Sequence, residues 1–231
     1  MNQCKGYQHA SEDWMKADLH VHTSFSKDCT VSPREVVRQA QRQGLRALAI
    51  TDHNTAQGAL QVVRAEGIIV VPGLELSTRE GHLVLLGVRE SLAQGLSAAE
   101  ACDRARAQGA VVIVPHPYRL FSGVGEEIAR AINVHAVEGL NGRSLRRDNM
   151  RAISLARHIS KPYVGGSDAH TLGEIGNAWT FLPHCSSVED VLRAIMKGQC
   201  EPGGRHASMG RALSRGMSSL ARYLGRGLKR V

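Results

Sequence analysis

Aromatic residues and long apolar runs are both scarce in this chain. Its 231 residues include only 4% Phe, Trp and Tyr, which argues against a platform of stacked rings for single-stranded nucleic acid. No apolar run approaches the ~18 residues that span a bilayer, and the first 16 residues are polar. We therefore expect a cytoplasmic protein with neither a membrane span nor a signal peptide. Hydrophobic residues make up 42% of the chain, enough for one domain with a sizeable core.

The sequence also lacks the signatures of several enzyme classes. No predicted strand is followed by G-x-G-x-x-G or by G-x-x-x-x-G-K-[ST], which argues against dinucleotide and P-loop nucleotide sites. No G-x-S-x-G is present to supply a serine nucleophile. The five cysteines form no C-x-x-C pair, so we interpret them as reduced thiols rather than as disulfides or a thiolate metal site.

Acidic residues are missing from the last stretch of the chain. Residues 203–231 hold seven basic residues and no Asp or Glu, which leaves 22 basic and 21 acidic residues before them. We therefore predict a near-neutral domain over residues 1–202 and a basic tail over residues 203–231. Apolar and arginine residues recur on different faces of this tail, which predicts an amphipathic helix. Four roles remain open for it: docking on the domain, contact with a second subunit, binding of nucleic acid, and binding of an anionic surface.

Short apolar runs alternate with helix-like stretches through the first 202 residues. We predict strands at 16–20, 45–50, 68–71, 82–88, 110–114, 134–137 and 162–165. We predict helices from about 33 to 44, over 56–65, after 97, near 126–131, over 145–157 and near 188–197. Alternation with short connections is typical of parallel β-α-β units, which fits either an open doubly wound sheet or a barrel.

Six of the eleven histidines lie at or beside the ends of these strands, together with three carboxylates. The nine residues are His20, His22, Asp28, His53, Glu75, His82, His116, Asp168 and His170. In a parallel α/β protein the carboxyl ends of the strands converge on one face, so distant segments can meet there. A single histidine at such a place is usually structural. Nine residues with metal-ligand chemistry predict a site for Zn, Mn or Fe rather than for Mg or Ca.

The order of these motifs resembles the PHP (polymerase and histidinol phosphatase) superfamily, and within it the compact phosphoesterases. The matching runs are D-L-H-V-H-T at 18–23, I-T-D-H-N at 50–54, P-G-L-E-L-S at 72–77, P-H-P at 115–117 and G-S-D-A-H at 166–170. The resemblance implies an α/β fold, a distorted seven-stranded (β/α) barrel with the metal site at the carboxyl ends of its strands. It also implies two or three divalent transition-metal ions as cofactors.

The resemblance further implies which residues hold each ion. His20, His22, Glu75 and Asp168 match one site, Glu75 as a bridge with His82 and His116 matches a second, and Asp28, His53 and His170 match a third. Two features depart from the family pattern. Asp28 stands where other members have histidine, and the long insertion that compact relatives carry between the regions of His82 and His116 is missing. We therefore expect a small substrate pocket.

The implied activity is metal-dependent hydrolysis of a phosphate ester by a hydroxide held between two ions. The expected substrate is a small phosphorylated molecule, with nucleotides and short oligonucleotides among the candidates. The predicted catalytic residues are Glu75, Asp168, His170 and Arg119.

Three further residues near the predicted ligands are candidates for supporting roles. Arg143, like Arg119, is a candidate for phosphate contact because a guanidinium matches phosphate bidentately. Asp18 and Asp52 are candidates for orienting imidazoles or for capping a turn.

Two other functions remain open at this stage. One is a non-catalytic or regulatory metal-binding module, like the PHP domains attached to bacterial polymerases. The other is amidohydrolase-type chemistry on a C–N bond. All nine ligand positions are occupied, which disfavours the first function, and no lysine falls at a strand end to serve as a carbamylated bridge, which disfavours the second.

Overall fold

The computed structural model describes residues 14–208 and residue 210. Its strands are β1 (Trp14–Val21), β2 (Ala47–Ile50), β3 (Ile69–Ser77), β4 (His82–Leu86), β5 (Val111–Val114), β6 (Ala136–Asn141), β7 (Tyr163–Gly166), β8 (Ala178–Pro183) and β9 (Glu201–Gly204). Its helices are α1 (Pro33–Arg42), α2 (Gln57–Leu60), α3 (Ala98–Ala107), α4 (Gly125–Ala131), α5 (Arg146–His158) and α6 (Val188–Met196). The predicted tail helix lies outside the described residues.

The nine strands form one sheet in the order β7-β6-β5-β4-β3-β2-β1-β8-β9. Strands β1, β2 and β3 are parallel, and so are β5, β6 and β7, whereas β4 runs antiparallel to both of its neighbours. The sheet bends back on itself after β7, where Val21 and Ala169 form a parallel bridge. The Asp168 N–H also donates to the His20 carbonyl at 2.7 Å, so the sheet nearly closes into a barrel.

The expected mixed α/β barrel is confirmed, but the expected count of seven strands is not. The described sheet has nine strands because β8 pairs antiparallel with β1 and β9 pairs with β8. The expectation of parallel units throughout is wrong at β4. The helix predicted over 56–65 is confined to Gln57–Leu60. Strand β9 also runs through the predicted domain boundary at residue 202.

Three helices begin at capping boxes that the sequence encodes locally. Ser32, Ser97 and Ser187 each accept a hydrogen bond from the backbone N–H three residues later, and the acidic side chain at that position bonds back. Each box satisfies two donors that the first helical turn leaves without a partner. These caps fix where α1, α3 and α6 start.

Apolar residues fill the inside of the barrel and both layers around it. Inside, Leu19, Val84, Leu86 and Ile113 pack together, and helix α6 contributes Ile195 to the same cluster. Two outer clusters hold the remaining helices against the sheet. Within the described part of the chain, no helix is long and apolar enough to cross a membrane.

Candidate metal centre

The nine predicted ligands come together at one rim of the barrel, the end where the parallel strands finish. His20 and His22 come from the end of β1, His116 follows β5, and Asp168 follows β7. His82 is the first residue of β4, yet it reaches the same rim. Because β4 is antiparallel to β3, His82 pairs with Ser77 at the end of β3.

The backbone at this rim departs from regular geometry where ligands are presented. The register of β1 shifts between Asp18 and Val21, and that of β6 shifts between Glu138 and Leu140. Irregularities of this kind redirect side chains and are frequent beside active sites. His116 and Asp168 both have positive φ values, 28° and 54°. Such strained conformations persist only where the surroundings hold them, and they concentrate at functional sites.

Residue 166 must be glycine for the ligands to approach one another. A Cβ on Gly166 would lie 2.6 Å from the His20 Cβ and 2.7 Å from Glu138 Oε1. The next two residues lead directly to Asp168. The glycine therefore lets strand β7 pass close behind His20.

Glu75 lies at the centre of the cluster, and each of its oxygens faces a different group of imidazoles. Its Oε1 lies 2.8 Å from His82 Nδ1 and 3.0 Å from His116 Nε2. Its Oε2 lies 3.2 Å from His22 Nε2, 3.3 Å from His53 Nδ1 and 3.4 Å from His20 Nε2. A carboxylate placed in this way can bridge two ions, as the resemblance implied.

Asp168 completes the first predicted donor set. His20 and His22 present their Nε2 atoms 3.2 Å apart, and Asp168 Oδ1 lies 3.8 Å from the first and 3.5 Å from the second. All three side chains are buried. Two nitrogens and one oxygen thus converge on one position from two separate segments of the chain.

The third predicted donor set lies nearer to solvent. Asp28 Oδ1 is 3.7 Å from His53 Nε2, and Asp28 Oδ2 is 3.4 Å from His170 Nε2. The side chains of Asp28 and His53 are 24% and 22% exposed, against 1–2% for Asp168 and Glu75. An ion held here would be the most accessible to a substrate.

The donor chemistry fits divalent cations. Four groups of three residues place their ligand atoms within 4.8 Å of one another. They are His20–His22–Asp168, His20–Glu75–His116, His53–Glu75–His82 and His22–His53–His170. Asp28 Oδ1 and His53 Nδ1 are buried without a hydrogen-bond partner in the described chain. Buried polar atoms normally have partners, and a cation would supply them here.

The charges of the cluster compensate one another. Burial would raise the pKa of Glu75, but His82, His20 and His53 outweigh it and hold that pKa well below its usual range. Burial would also raise the pKa of Asp168, but Arg119 and His20 outweigh it and hold that pKa well below its usual range. Both carboxylates are therefore ionised and available as ligands.

Two of the histidines are driven toward the protonated form. Burial opposes a charge on His20, but Asp168, Glu138 and Glu75 outweigh it and raise its pKa well above the usual range. Burial likewise opposes a charge on His22, and its hydrogen bonds to Asp168 and Glu75 raise the pKa to about 9. Without cations, protons on these rings balance the buried carboxylates.

Three other histidines of the cluster are driven toward the neutral form. Burial lowers the pKa of His53 to about 3, and burial together with Arg119 lowers that of His116 to about 4. Burial and the charge on His22 lower the pKa of His170. Neutral imidazoles are the form that binds metals.

Glu138 is the most important residue that the sequence prediction missed. It is buried in the middle of β6, and its Oε1 lies 3.1 Å from His20 Nδ1. Its Oε2 accepts from the His116 backbone N–H at 3.0 Å. Because a carboxylate only accepts, His20 carries its proton on Nδ1 and turns Nε2 toward the cluster. The sequence signal that was available is a single glutamate at the end of the largely apolar segment V-H-A-V-E at 134–138.

Ser26 orients His22 in a similar way. Its hydroxyl donates to Asp52 Oδ1 at 2.7 Å and lies 3.0 Å from His22 Nδ1. Since the hydroxyl proton is already directed to Asp52, His22 donates from Nδ1 and turns Nε2 toward the cluster. Asp52 thus acts on an imidazole through Ser26, which is close to its predicted role.

Asp18 acts on the backbone rather than on an imidazole. It accepts from the Ser167 N–H at 2.8 Å and from the Gly176 N–H at 3.0 Å. Burial raises its pKa to about 6. Asp18 therefore fixes the loop that carries Asp168.

Arg119 and Arg143 both reach the cluster. Arg119 Nη1 donates to Asp168 Oδ2 at 2.5 Å, and its Nη2 donates to Asn141 Oδ1 at 2.7 Å. Arg143 Nη1 lies 2.5 Å from His170 Nδ1 and 3.8 Å from Asp168 Oδ1. The two predicted phosphate contacts therefore lie side by side above Asp168.

The remaining described histidines divide into surface and structural residues. His158 and His184 are exposed. His135 lies away from the cluster, with its Nδ1 accepting from the Val112 N–H at 2.9 Å. His206 is half-buried against Asn149.

The arrangement is a barrel whose rim is suited to several divalent ions. Comparison with known protein families agrees with it. The PHP domain matches residues 18–109, and a PHP-associated region matches residues 146–200. The chain belongs to the PHP superfamily.

Curated relatives and a solved structure extend the comparison. An uncharacterized protein of Methanocaldococcus jannaschii is 38% identical over 128 residues, which are 49% of this chain and 75% of that protein. The probable phosphatase YcdX of Escherichia fergusonii is 24% identical over 246 residues, covering 89% of this chain and 97% of that protein.

The solved structure is a two-domain protein of Bacteroides vulgatus that contains a predicted PHP-like metal-dependent phosphoesterase. It superposes with a TM-score of 0.70 at 20% identity. The alignment covers 83% of this chain and 65% of that protein, and at this identity it supports the fold alone.

Proposed function

We propose that the protein is a metal-dependent hydrolase of phosphate esters. The observation that carries the proposal is the division of the Glu75 oxygens between two groups of imidazoles, 2.8–3.4 Å away. The probable phosphatase among its relatives supports the same reaction class.

The chain's own residues prepare the rim to hold cations. Glu138 and Ser26 keep protons on the Nδ1 atoms of His20 and His22, so the Nε2 atom of each ring points toward Glu75 and Asp168 and would bind a cation in place of its own proton. His20, His22, Glu75 and Asp168 would hold one ion, Glu75 with His82 and His116 a second, and Asp28, His53 and His170 a third. Bound divalent ions would acidify water and neutralise charge on the phosphoryl oxygens. We propose Mn, Zn or Fe on donor chemistry.

Arg119 and Arg143 would hold the phosphoryl group. The Arg143 Nε is buried without a hydrogen-bond partner in the described chain, so one donor remains for a phosphate oxygen. Burial opposes the charge on Arg119, but Asp168 outweighs it and raises its pKa further, so it stays cationic. In the hydrolysis, water oxygen bonds to phosphorus, the bond from phosphorus to the ester oxygen breaks, and the leaving alcohol takes up a proton. The two guanidinium groups stabilise the charge that accumulates on the phosphoryl oxygens.

The main alternative is a PHP module that binds metal without catalysis. Such a module would not need cationic side chains beside its ligands, whereas Arg119 and Arg143 both contact Asp168 here. Amidohydrolase chemistry with a carbamylated lysine has less support. Of the described lysines, Lys16 lies over the Trp179 ring, Lys161 contacts Asn133, and Lys27 and Lys197 are exposed.

Turnover of a phosphate-ester panel tests the proposal. The panel would contain an aryl phosphate monoester, an aryl phosphodiester, nucleotides and an aryl amide, each assayed with chelated protein and after addition of Mn, Zn or Fe. We expect metal-dependent release of phosphate or alcohol and no amide hydrolysis. Metal binding without turnover of any ester would support the non-catalytic module, and amide hydrolysis alone would support amidohydrolase chemistry.

A further inference from the structure

Asn141 is the last residue of β6, and its side chain meets that of Glu138 although the two residues are three positions apart. In a regular strand, residues with this spacing point to opposite faces of the sheet. Here the register against β7 shifts between Glu138 and Leu140, so Gly139 is an extra residue between them. Asn141 Nδ2 lies 2.9 Å from Glu138 Oε2 as a result. The irregularity in β6 therefore brings both side chains to the same face.

The side-chain amide of Asn141 is completely buried and has suitable partners on both sides. Its Nδ2 donates to Glu138 Oε2 at 2.9 Å and to Asp168 Oδ2 at 3.2 Å. Its Oδ1 accepts from Arg119 Nη2 at 2.7 Å and from the Arg143 backbone N–H at 2.9 Å. Carboxylates only accept, whereas guanidinium and backbone N–H groups only donate. These partners therefore allow a single orientation of the amide.

A second asparagine fixes the backbone of Asn141. The Asn141 N–H donates to Asn149 Oδ1 at 3.1 Å, and Asn149 Nδ2 donates to the Asn141 carbonyl at 3.0 Å. Asn149 is buried and belongs to α5. Helix α5 thus holds Asn141 at the place from which its amide reaches the metal centre.

The two oxygens of Asp168 have different surroundings because of Asn141. Asp168 Oδ2 accepts from Arg119 Nη1 and from Asn141 Nδ2. Asp168 Oδ1 instead lies 3.5 Å from His22 Nε2 and 3.8 Å from His20 Nε2. With two donors on Oδ2, Oδ1 is the oxygen left for an ion.

The two oxygens of Glu138 are divided in the same way. Its Oε2 accepts from Asn141 Nδ2 and from the His116 backbone N–H, at 2.9 Å and 3.0 Å. Its Oε1 lies 3.1 Å from His20 Nδ1. Asn141 thereby holds the carboxylate in the orientation that keeps the His20 ring turned toward the cluster.

We propose that Asn141 is a positioning residue of the metal centre, which holds one oxygen each of Glu138 and Asp168 so that Asp168 binds its ion through Oδ1 alone. The proposal rests on the proposed function, because it describes how this chain presents its ligands to the ions. Partners that hydrogen-bond to metal ligands typically contribute about 10–100-fold to metal affinity or activity. Asn141 would act only through Glu138 and Asp168.

Calorimetric titration of the chelated protein with Mn²⁺ tests the proposal. Asn141→Leu keeps a similar side-chain size but removes every hydrogen bond of the amide, so we expect the Kd of the most tightly bound ion to rise about 10–100-fold. Asn141→Ser leaves room for water, should act in the same direction, and decides the matter if the leucine variant does not fold. Unchanged Mn²⁺ affinity in a folded variant would overturn the proposal.

Thr180→Val is the matched control for the loss of buried hydrogen bonds. Thr180 is fully buried in β8, where its hydroxyl donates to the Gly165 carbonyl and accepts from the Gly165 N–H, both at 2.8 Å. This substitution should lower stability and leave the Mn²⁺ affinity unchanged. An equal loss of affinity in Thr180→Val would show that buried hydrogen bonds in general support the centre, and it would overturn a specific role for Asn141.

The visible spectrum of bound Co²⁺ gives a readout that a purely structural role would not move. In Asn141→Leu, Asp168 Oδ2 keeps only Arg119 as a donor and can turn toward the ion. A second carboxylate oxygen raises the coordination number, so we expect weaker absorption per bound Co²⁺ than in the wild type. Identical spectra would overturn the claim that Asn141 restricts Asp168 to Oδ1.

Turnover of an aryl phosphate separates this proposal from the proposed function. If the wild-type protein binds Mn²⁺ but hydrolyses no ester, the proposed function fails, and the affinities still decide the role of Asn141. If the wild type is active and both Asn141 variants bind Mn²⁺ as tightly as it does, only the positioning role fails. A wild-type protein that binds no divalent ion would overturn both.

Discussion

Strand β4 begins and ends in two different environments. His82, its first residue, lies at the rim with its Nδ1 2.8 Å from Glu75. Leu86, its last residue, is fully buried inside the barrel among Val84, Ile113 and Ile195. The contrast holds for the whole barrel, since one end collects buried charges and the other excludes them. Stability and chemistry can therefore be changed separately by substitutions on a single strand.

The backbone differs between the two ends in the same way. The ladder between β4 and β5 at Val84–Leu86 is regular, whereas β1 and β6 shift register next to His20 and Glu138. Positive φ values at His116 and Asp168 belong to the rim as well. Regular strands are sufficient for apolar packing in the core. Directing several ligand side chains toward the same ions requires local distortion of the backbone.

Glu75→Gln should have the largest effect at the rim. The amide keeps the shape of the side chain but removes the charge that five imidazoles face, so we expect a loss of metal and about 10³-fold or more in kcat, equivalent to several kcal/mol of transition-state stabilisation. Metal analysis, kinetics and circular dichroism measure these effects. The control is Glu126→Gln, whose exposed carboxylate contacts Arg130. Near-normal kcat in Glu75→Gln would rule out a bridging role.

Substitutions at the two ends of β4 test the comparison itself. Leu86→Ala should lower the free energy of unfolding by about 2–5 kcal/mol because it leaves a cavity in the core, while activity per folded molecule is retained. His82→Ala should reduce activity by about 10²-fold with little loss of stability, because it removes a metal ligand and almost no apolar packing. Urea unfolding and kinetics on both variants decide the matter. If both variants lose stability and activity together, the two ends are not independent.

Glu138→Gln should have an intermediate effect. The amide oxygen can still accept a hydrogen bond from either the His116 backbone N–H or His20 Nδ1. The amide NH₂ group then faces the other of these two donors, and that hydrogen bond is lost. Loss of such a partner costs about 10–100-fold in metal affinity or activity. Metal titration of Glu138→Gln against wild type measures it, and an unchanged affinity would show that His20 does not need Glu138.

The substitution His135→Gln should have the smallest effect, and it should change only the stability at low pH. Burial and Arg106 lower its pKa from 6.5 to about 4. The unfolded chain therefore binds a proton between these values that the folded protein excludes, so the contribution of neutral His135 is present above pH 6.5 and is lost as the pH falls toward 4. The urea midpoint should fall less from pH 7 to pH 5 in His135→Gln than in wild type. Equal falls would show that His135 does not titrate in this way.

Much of the fold could be predicted because the deciding information is local. Strands β2, β3, β4 and β5 carry uninterrupted apolar runs, and Ser32 and Ser97 mark helix starts with capping boxes. The ligands could be placed at one rim because carboxyl strand ends converge in parallel units. His82 reached this rim for another reason, which is the antiparallel direction of β4.

The parts of the fold and of the site that could not be predicted depend on tertiary contacts, which leave only weak signals in the local sequence. Strand β9 contains Pro202, Gly203 and Gly204, and it forms because β8 offers an edge to pair with. Strand β8 is only half-buried along its length, with alternating exposure. Glu138 was missed because its importance comes from His20, 118 positions away in the sequence. The assignment of the nine ligands to three separate ions stays a prediction.

Metal content and turnover measured on one sample test whether the rim is a metal-dependent hydrolytic centre. The wild-type protein, loaded with Mn, Zn or Fe and freed of excess ion, would be assayed for bound metal and for hydrolysis of an aryl phosphate, then chelated and assayed again. We expect two or three ions per chain, turnover that disappears with them, and turnover that returns when they are restored. Hydrolysis that persists after the metal has been removed, or a chain that binds no divalent ion, would contradict it.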